Sequence, residues 1–285
     1  MLTEKQLQAR REGIGASEAG IVMGDNAYCT AYELWMIKTG RMQPEDLSNN
    51  EAVFLGNKLE GVIADWYEFK HGKKLRKDNR TLRHSDYPHI LCHLDRKVEG
   101  ERKIIEIKTA NYFAWKGEEW GPDGSNNIPD PYIWQIQHQL AVTGYQEAEL
   151  VVWPKTAATI SCHPIKRDDE LIQIMLGKLN HFWFEHVVKD VAPPMEYRKD
   201  VELAYPQNRG NFVEATLQTL EAINDLSIIK EGIKQNQKMC GPLETIITEA
   251  IGEADGLTAD GHVLCTWKAN KTGKRVLRFT NAVEV

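Results

Sequence analysis

The sequence has little of what marks exported, disulfide-stabilised or membrane-spanning proteins. Its five cysteines among 285 residues are scattered, odd in number and free of C-x-x-C spacing, so neither a disulfide framework nor a zinc site is indicated. No stretch approaches the roughly 18 consecutive apolar residues of a membrane span, and the N-terminal residues lack the apolar core of a signal peptide. These absences predict a soluble, cytoplasmic protein.

An excess of positive charge is also missing. Lysine and arginine number 35 against 41 aspartates and glutamates, which gives a net charge of -6. This balance argues against a protein that coats nucleic acid over a wide surface, although local fields decide binding. Two basic stretches, residues 70–83 and 268–278, are candidates for phosphate contact, and solvated surface is the alternative for both.

The apolar pattern predicts a mixed α/β fold with a C-terminal part of different character. We expect helices and strands to alternate in residues 1–200, and residues 201–285 to add a helical segment and a β-hairpin. Helices are predicted at 17–23, 30–38, 51–69, 132–143, 168–189 and 212–254, and strands at 90–95, 103–108, 148–153, 158–165, 262–267 and 275–280. Gly, Pro, Asn and Asp between 116 and 131 indicate a long loop.

Three charged residues on two neighbouring apolar strands are the strongest sign of chemistry. Residues alternate faces along a strand, so Glu106 and Lys108 share a side, and a turn at 99–101 would bring Asp95 back beside Glu106. Burying two carboxylates and an ammonium is costly unless they are paired or bind a cation, and oxygen ligands suit Mg²⁺ or Mn²⁺. A salt-bridged hairpin at a sheet edge is the alternative that spacing alone leaves open.

The charged trio and four other segments resemble a family of nucleases. Asp95, ten intervening residues and then Glu106-x-Lys108 match the PD-(D/E)xK signature, which is weak alone. The other segments are Arg10-x-x-x-Ile14-Gly15-Ala16-Ser17, Gly56-Asn57-Lys58-Leu59-Glu60, Ile107-Lys108-Thr109-Ala110 and Gln135-Ile136-Gln137-His138-Gln139. Their order is similar to that of the lambda exonuclease-like, or YqaJ-type viral recombinase, family. The resemblance covers residues 8–190 and implies a PD-(D/E)xK core with a mixed central sheet flanked by helices.

The resemblance implies a catalytic site for two Mg²⁺ ions, with Mn²⁺ as a substitute. Asp95 would bridge the ions, Glu106 and the Ile107 carbonyl would bind the first, and Glu60 would contribute to the second. Without the family, Glu60 would be an ordinary solvated carboxylate. Lys108 would orient or polarise the attacking water and offset negative charge on the phosphorane.

Polar residues near this trio are further candidates. Gln135 stands where the family has a glutamine near the active-site lysine. Gln137 and Gln139 are equally polar, only one helical face can look inward, and Gln137 is kept as a secondary candidate. All the glutamines of this segment could instead face solvent, and His138 is expected on the outer face. His93, two residues before Asp95, could contact phosphate or metal, or be a structural histidine.

A second group of residues suggests how a DNA end is recognised. In the family, the positions of Arg10 and Ser17 form a pocket for a DNA 5′-phosphate, and an arginine suits such a contact because it can bind phosphate through two N–H groups. Arg11 is the rival for the arginine position. Ser17 could also cap the short helix that follows it, and either arginine could be a surface charge.

The resemblance therefore implies a Mg²⁺-dependent exonuclease that degrades one strand of linear double-stranded DNA from its 5′ end and leaves a 3′ single-stranded tail. It also implies a ring-shaped homo-oligomer, with a trimer favoured, and a partner single-strand annealing protein in phage-type recombination. The gene would be carried by a phage or prophage in a bacterial host. A structure-specific endonuclease or junction resolvase of the same fold, and a non-catalytic DNA-end-binding module, are the alternatives.

Overall fold

The computed structural model of the chain describes residues 4–111, 120–155 and 157–280. The chain divides into two compact units, Met1–Gln207 and Asn208–Val285. None of the described helices is long and apolar enough to cross a membrane.

A mixed β-sheet organises the first unit. Its strands are β1 (Ile14–Gly15), β2 (Leu75–Arg83), β3 (Ile90–Val98), β4 (Lys103–Ala110), β5 (Glu147–Pro154) and β6 (Ser161–Lys166). Neighbours follow the order β1-β3-β4-β5-β6, and β2 also pairs with β3. The β3–β4 and β5–β6 pairs are antiparallel, whereas β1–β3 and β4–β5 are parallel. The predicted mixed sheet is thus confirmed.

Helices flank this sheet and begin and end at residues suited to those positions. They are α1 (Glu4–Arg11), α2 (Ala19–Met23), α3 (Ala31–Lys38), α4 (Glu51–His71), α5 (Asp130–Thr143), α6 (Asp169–His181) and α7 (Arg198–Ala204). The Asn50 side chain accepts the N–H groups of Ala52 and Val53 at the start of α4, and Gly72 ends that helix with a left-handed φ of 65°. A π-helix, Phe182–Val188, continues α6.

Each face of the sheet has its own apolar cluster, because side chains alternate along the strands. Ile105 and Ile107 of β4 pack with Ile63 and Tyr67 of α4 on one face. Ile104 belongs to the larger cluster on the other face, which includes Ile136 and Leu140 of α5, residues of α2 and residues of α6. Glu106, which alternates with Ile105 and Ile107, therefore faces α5.

Some elements differ from the sequence prediction. Strand β2 occupies the basic stretch, where no strand was expected, and the short helix α7 was also missed. The predicted helix 168–189 is an α-helix only to His181. Residues 120–129 have no regular secondary structure, in line with the predicted loop, whose residues 116–119 lie outside the described part of the chain.

The second unit contains a long helix and a small antiparallel sheet. Helix α8 (Leu217–Ile251) is followed by β7 (Gly256–Ala259), β8 (His262–Ala269) and β9 (Arg275–Phe279), which pair in that order. The predicted helical segment and β-hairpin are confirmed, and β7 adds a strand that the sequence pattern did not reveal.

Candidate active site

Strands β3 and β4 bring the predicted acidic residues and lysine together. Arg96 pairs with Ile105 across the two strands, and this register sets Asp95 opposite Glu106. The Asp95 Oδ2 atom accepts the Ile107 backbone N–H at 2.9 Å, and the Lys108 ammonium donates to Glu106 Oε1 at 2.7 Å. Glu106 is buried, with 3% of its surface exposed. The three charges thus form one cluster on the face that α5 covers.

Helix α5 supplies two amides that hold Glu106 from the other side. Gln135 donates to Glu106 Oε1 at 2.5 Å and Gln139 donates to Glu106 Oε2 at 2.7 Å. They lie four residues apart and hence on the same helical face. The structure therefore places the predicted Gln135 at the carboxylate, and it adds Gln139, which is fully buried.

Two of the three residues between these glutamines, Gln137 and His138, have polar partners elsewhere. Gln137, a secondary candidate, donates to the Lys166 carbonyl at 2.8 Å and accepts the Asp168 backbone N–H at 3.0 Å, so its amide is used away from Glu106. The expectation that His138 lies on the outer face is wrong. His138 is fully buried beneath the sheet, with Nε2 2.9 Å from the Leu91 carbonyl oxygen, and burial lowers its pKa to about 4.

Glu60 approaches the cluster from α4 but has a cationic partner of its own. Its carboxylate pairs with Arg96, which also donates to the Asp95 carbonyl at 2.6 Å. Lys77 lies 4.0 Å from the same carboxylate. The negative charge of Glu60 still contributes to the electrostatics of Asp95. Glu60 therefore lies near Asp95, while its carboxylate forms an ion pair with Arg96.

The negative charge of Asp95 is only partly compensated by its neighbours. Burial raises the pKa of Asp95, the charge of Glu106 raises it further, and the lowering by Lys108 and by the Ile107 N–H does not cancel these effects. For Lys108, burial alone would lower the pKa, but the charges of Glu106 and Asp95 outweigh burial and the pKa is raised. Lys108 is thus an ammonium, and its charge does not fully compensate the negative charge of Asp95.

This donor set fits a hard divalent cation. No group of three or more His, Cys, Asp or Glu side chains converges as a metal site in the part of the chain that the structure describes. Mg²⁺, however, is often bound by one or two carboxylates and completed by water and substrate phosphates. The excess negative charge that raises the pKa of Asp95 is what a bound cation would neutralise. Asp95 and Glu106 therefore suit Mg²⁺.

His93 lies on β3, two residues before Asp95. Its Nε2 atom is 2.9 Å from the hydroxyl of Thr81 on β2. Burial lowers the pKa of His93, and the positive charge of Arg10 lowers it further. Burial and the charge of Arg10 therefore both favour the neutral form of the His93 side chain.

The predicted end-recognition residues also meet. Arg10, in the last turn of α1, donates to the Ser17 hydroxyl at 2.9 Å and lies 3.4 Å from Glu18. Ser17 is exposed in a 3₁₀ turn that follows β1. The side chain of Arg11, the rival arginine, is exposed. An open cleft of about 960 Å³ borders Ser17 and extends to Gln135.

The sequence is similar to a known family of proteins. The sequence profile of the YqaJ-like viral recombinase domain matches residues 5–146. The uncharacterized protein YqaJ of Bacillus subtilis (strain 168) is 34% identical over 275 residues, which cover 94% of this chain and 84% of that protein. The chain belongs to the YqaJ-like viral recombinase family.

Solved structures show a similar fold. An alkaline exonuclease, LHK-Exo from Laribacter hongkongensis, superposes with a TM-score of 0.53 at 24% identity, over 66% of this chain and 94% of that one. The same protein in complex with dAMP gives the same values. The fold of this YqaJ-like chain is therefore that of an exonuclease structure, and its sheet is consistent with a PD-(D/E)xK core.

Sequence reasoning missed several residues around the site of this YqaJ-like protein. They are Gln139 on α5, Arg96 beside Glu60, and Glu18 and Lys38 behind Arg10. Gln139 could have been found from its four-residue spacing to Gln135. Arg96 and Lys38 gave no such signal, because their partners come from distant segments of the chain.

The basic stretch at 70–83 is largely neutralised by neighbouring acids. Six of its basic residues lie within 4.0 Å of a carboxylate: Lys70, Lys73, Lys74, Arg76, Lys77 and Arg80. Arg83 instead donates to the Pro88 carbonyl. These ion pairs weaken the expectation that the stretch contacts DNA phosphates.

Proposed function

We propose that this YqaJ-like protein is a Mg²⁺-dependent exonuclease that degrades one strand of linear double-stranded DNA from the 5′ end and leaves a 3′ single-stranded tail. The observation that carries the proposal is the cluster of Asp95, Glu106 and Lys108, which two α5 amides hold in place. The fold shared with an alkaline exonuclease and membership of a viral recombinase family support it.

We propose a role for each charged residue of the site. Asp95, Glu106 and the Ile107 carbonyl would hold Mg²⁺, and Glu60 would contribute to a second ion after release from Arg96. Bound Mg²⁺ would stabilise negative charge on the attacking and leaving oxygens. The Lys108 ammonium, fixed by Glu106, would orient the attacking water and offset charge on the reacting phosphate. Gln135 would keep the Glu106 carboxylate oriented.

Arg10 and Ser17 would set the direction of degradation by binding the 5′ end of the strand. A guanidinium and a hydroxyl 2.9 Å apart can together bind a terminal phosphate. The cleft is lined by Ser17 of this site and by Gln135, which donates to Glu106 of the acidic cluster. A strand end held at Arg10 would therefore present its first phosphodiester bonds to Asp95 and Glu106.

The decisive experiment is digestion of linear duplexes labelled at either end, with and without a 5′-phosphate, in Mg²⁺ or EDTA. We expect Mg²⁺-dependent loss of 5′ label, faster on phosphorylated ends. Lys108→Ala and Asp95→Ala should remove activity. Lys103→Ala is the matched control, because Lys103 also lies on β4 but pairs with Glu149 at 2.6 Å from the opposite face.

Three outcomes would contradict the proposal in different ways. Release of label from 3′ ends would reverse the polarity. Cleavage of covalently closed circles as readily as linear DNA would instead indicate an endonuclease or junction resolvase. Persistence of Mg²⁺-dependent degradation in the Lys108→Ala and Asp95→Ala proteins would show that the site is elsewhere.

The product of this reaction defines the partners that we propose. A 3′ single-stranded tail needs a protein that binds it and pairs it with a complementary strand, so a single-strand annealing protein is the expected partner. We also propose a ring-shaped homo-oligomer, most simply a trimer, around the duplex. Encirclement would let a chain with a net charge of -6 stay on a polyanion.

A further inference from the structure

A buried lysine lies directly behind the residues assigned to the DNA end. The Lys38 ammonium, at the end of α3, donates to the carbonyl oxygens of Arg10 at 2.5 Å and Gly13 at 2.8 Å, and to Glu18 Oε2 at 2.7 Å. Only 2% of its side chain is exposed. A lysine has three N–H donors only when protonated, and all three are used here. Burial lowers the pKa of Lys38, while the charge and the hydrogen bond of Glu18 oppose that lowering. The three acceptors match the three donors of an ammonium, so we take Lys38 as a cation.

Glu18 connects this lysine to the recognition arginine. Its Oε1 atom lies 3.4 Å from the Arg10 guanidinium, and its Oε2 atom accepts both the Lys38 ammonium and the Gly15 backbone N–H at 2.8 Å. Glu18 itself is buried, with 9% of its surface exposed. One carboxylate is thus shared by two cations, and Arg10 keeps a hydrogen bond to Ser17 on its open side.

The sign of the charge at the Arg10 site depends on Lys38. Arg10 and Glu18 alone would sum to zero, and a neutral ion pair attracts a phosphate weakly. With Lys38 the three residues sum to one positive charge. Lys38 is too deep to touch DNA, so any effect on an anion would act through Arg10 and Glu18.

We propose that Lys38 is a positioning residue that neutralises Glu18 and so keeps Arg10 available to a 5′-phosphate, which makes the enzyme prefer phosphorylated over hydroxyl 5′ ends. The inference rests on the proposed function, because it concerns the same DNA end. Its rival is a purely structural role, in which Lys38 only ties α3 to the two carbonyl oxygens that it contacts.

A set of charge variants separates the two roles. Lys38→Met keeps the length of the side chain but removes its charge and its hydrogen bonds. The double variant Lys38→Met with Glu18→Gln restores the net positive charge without restoring the bonds to the carbonyl oxygens. Glu18→Gln alone leaves both cations uncompensated while its amide oxygen can still accept the Gly15 N–H.

The measurement is the affinity of the full-length protein for fluorescent duplexes with a 5′-phosphate or a 5′-hydroxyl, in EDTA, by anisotropy. The ratio of the two affinities should fall about tenfold in Lys38→Met, which corresponds to about 1.4 kcal/mol. It should recover in the double variant and rise above that of the unsubstituted protein in Glu18→Gln. The ratio of kcat/KM values on the two substrates in Mg²⁺ should follow the same order.

Several results would overturn the inference. An unchanged ratio in Lys38→Met would do so, as would a folded double variant whose ratio stays low, because the lost bonds would then be the cause. If Lys38→Met does not fold, a ratio that fails to rise in Glu18→Gln rejects the inference. Mg²⁺-dependent degradation by the unsubstituted protein tests the proposed function separately. A missing effect of Lys38 on the 5′-phosphate preference can therefore be distinguished from a missing nuclease activity.

Discussion

At the scale of single residues, Asp95 is the least compensated charge of the site. Its partly buried carboxylate lies beside Glu106, and both its burial and the charge of Glu106 raise its pKa above the ordinary aspartate value. An acid whose pKa is raised by folding destabilises the folded state when it is ionised. That cost is present at pH values above the folded pKa and disappears as the pH falls towards the pKa of the unfolded chain.

We therefore expect Asp95→Asn to stabilise the metal-free protein by roughly 2–4 kcal/mol at about pH 8, because the pKa of Asp95 is raised to about 7 and one pKa unit corresponds to about 1.4 kcal/mol. The asparagine oxygen can still accept the Ile107 N–H. Chemical denaturation in EDTA at alkaline and acidic pH measures the difference, which should vanish at the acidic value. Mg²⁺ should stabilise the unsubstituted protein and not the variant. A less stable variant at alkaline pH would contradict this electrostatic account.

Gln139 provides a second prediction, with its neighbour Gln137 as a matched control. Both amides are buried on α5, but only Gln139 contacts Glu106. Loss of hydrogen bonds at either position should cost about 1–3 kcal/mol of stability. We expect Gln139→Leu to raise the Mg²⁺ concentration needed for half-maximal nuclease activity, because Glu106 loses a donor. Gln137→Leu should leave that concentration unchanged, and equal shifts in both variants would argue against a role for Gln139.

The core of the candidate site is predictable from the sequence because strand alternation and a short turn determine it. Glu106 and Lys108 share a face by alternation, and the turn at Gly100 returns the chain so that Asp95 lies opposite Glu106. The residues around this core are not predictable in the same way. Arg96 is the pairing partner of Glu60, 36 residues away, and that contact depends on the packing of α4 on the sheet. No local pattern contains this information.

At the scale of elements, the short strand β1 positions the proposed end-recognition residues relative to β3, which carries Asp95. Ile14 and Gly15 pair with Ile90 and Leu91 at the start of β3. Gly13 permits this close approach, because a Cβ atom on Gly13 would lie 2.3 Å from the His89 carbonyl oxygen. The same strand, β3, carries Asp95, so the distance between the two sites depends on β1.

Gly13→Ala should therefore destabilise the protein by about 2–3 kcal/mol, because a backbone atom must move to relieve the contact. Gly177→Ala is the control, since a Cβ there meets nothing within 4 Å and alanine favours a helix by about 0.5–1 kcal/mol. Urea denaturation compares the two. Similar stability for Gly13→Ala and the unsubstituted protein would mean that β1 can shift freely.

Helices and strands are predictable from the sequence where apolar residues are regularly spaced. They are missed where a polar segment becomes a strand by pairing with a neighbouring strand. Helix α4 was expected at 51–69 and extends over Glu51–His71, with Gly72 as its C-cap. Strand β2 was missed because its sequence is mostly charged, and it forms only because β3 offers an edge to pair with. Its Asp78 is buried between Arg80 and Lys97, a pairing that composition alone does not reveal.

At the scale of the whole molecule, the first unit contains everything that the proposed chemistry needs. Both large apolar clusters take their residues from positions up to 204. The candidate catalytic and end-recognition residues all precede residue 140. Helix α8 of the second unit, by contrast, has exposed apolar side chains such as Leu226, Ile229 and Ile233, each more than half exposed. The second unit therefore has an apolar surface that the nuclease chemistry does not explain.

We expect a chain that stops after Gln207 to keep its fold, its Mg²⁺-dependent activity and the proposed ring. The unit boundary lies at this residue, and neither large apolar cluster would lose a side chain. Its melting temperature should stay within a few degrees of the full-length value. Native mass spectrometry of both chains would give the number of subunits, and full-length Lys108→Ala serves as the inactive control for digestion. A folded but monomeric truncated chain would instead mean that the second unit, with the apolar surface of α8, holds the oligomer together, and processive digestion should then be lost with it.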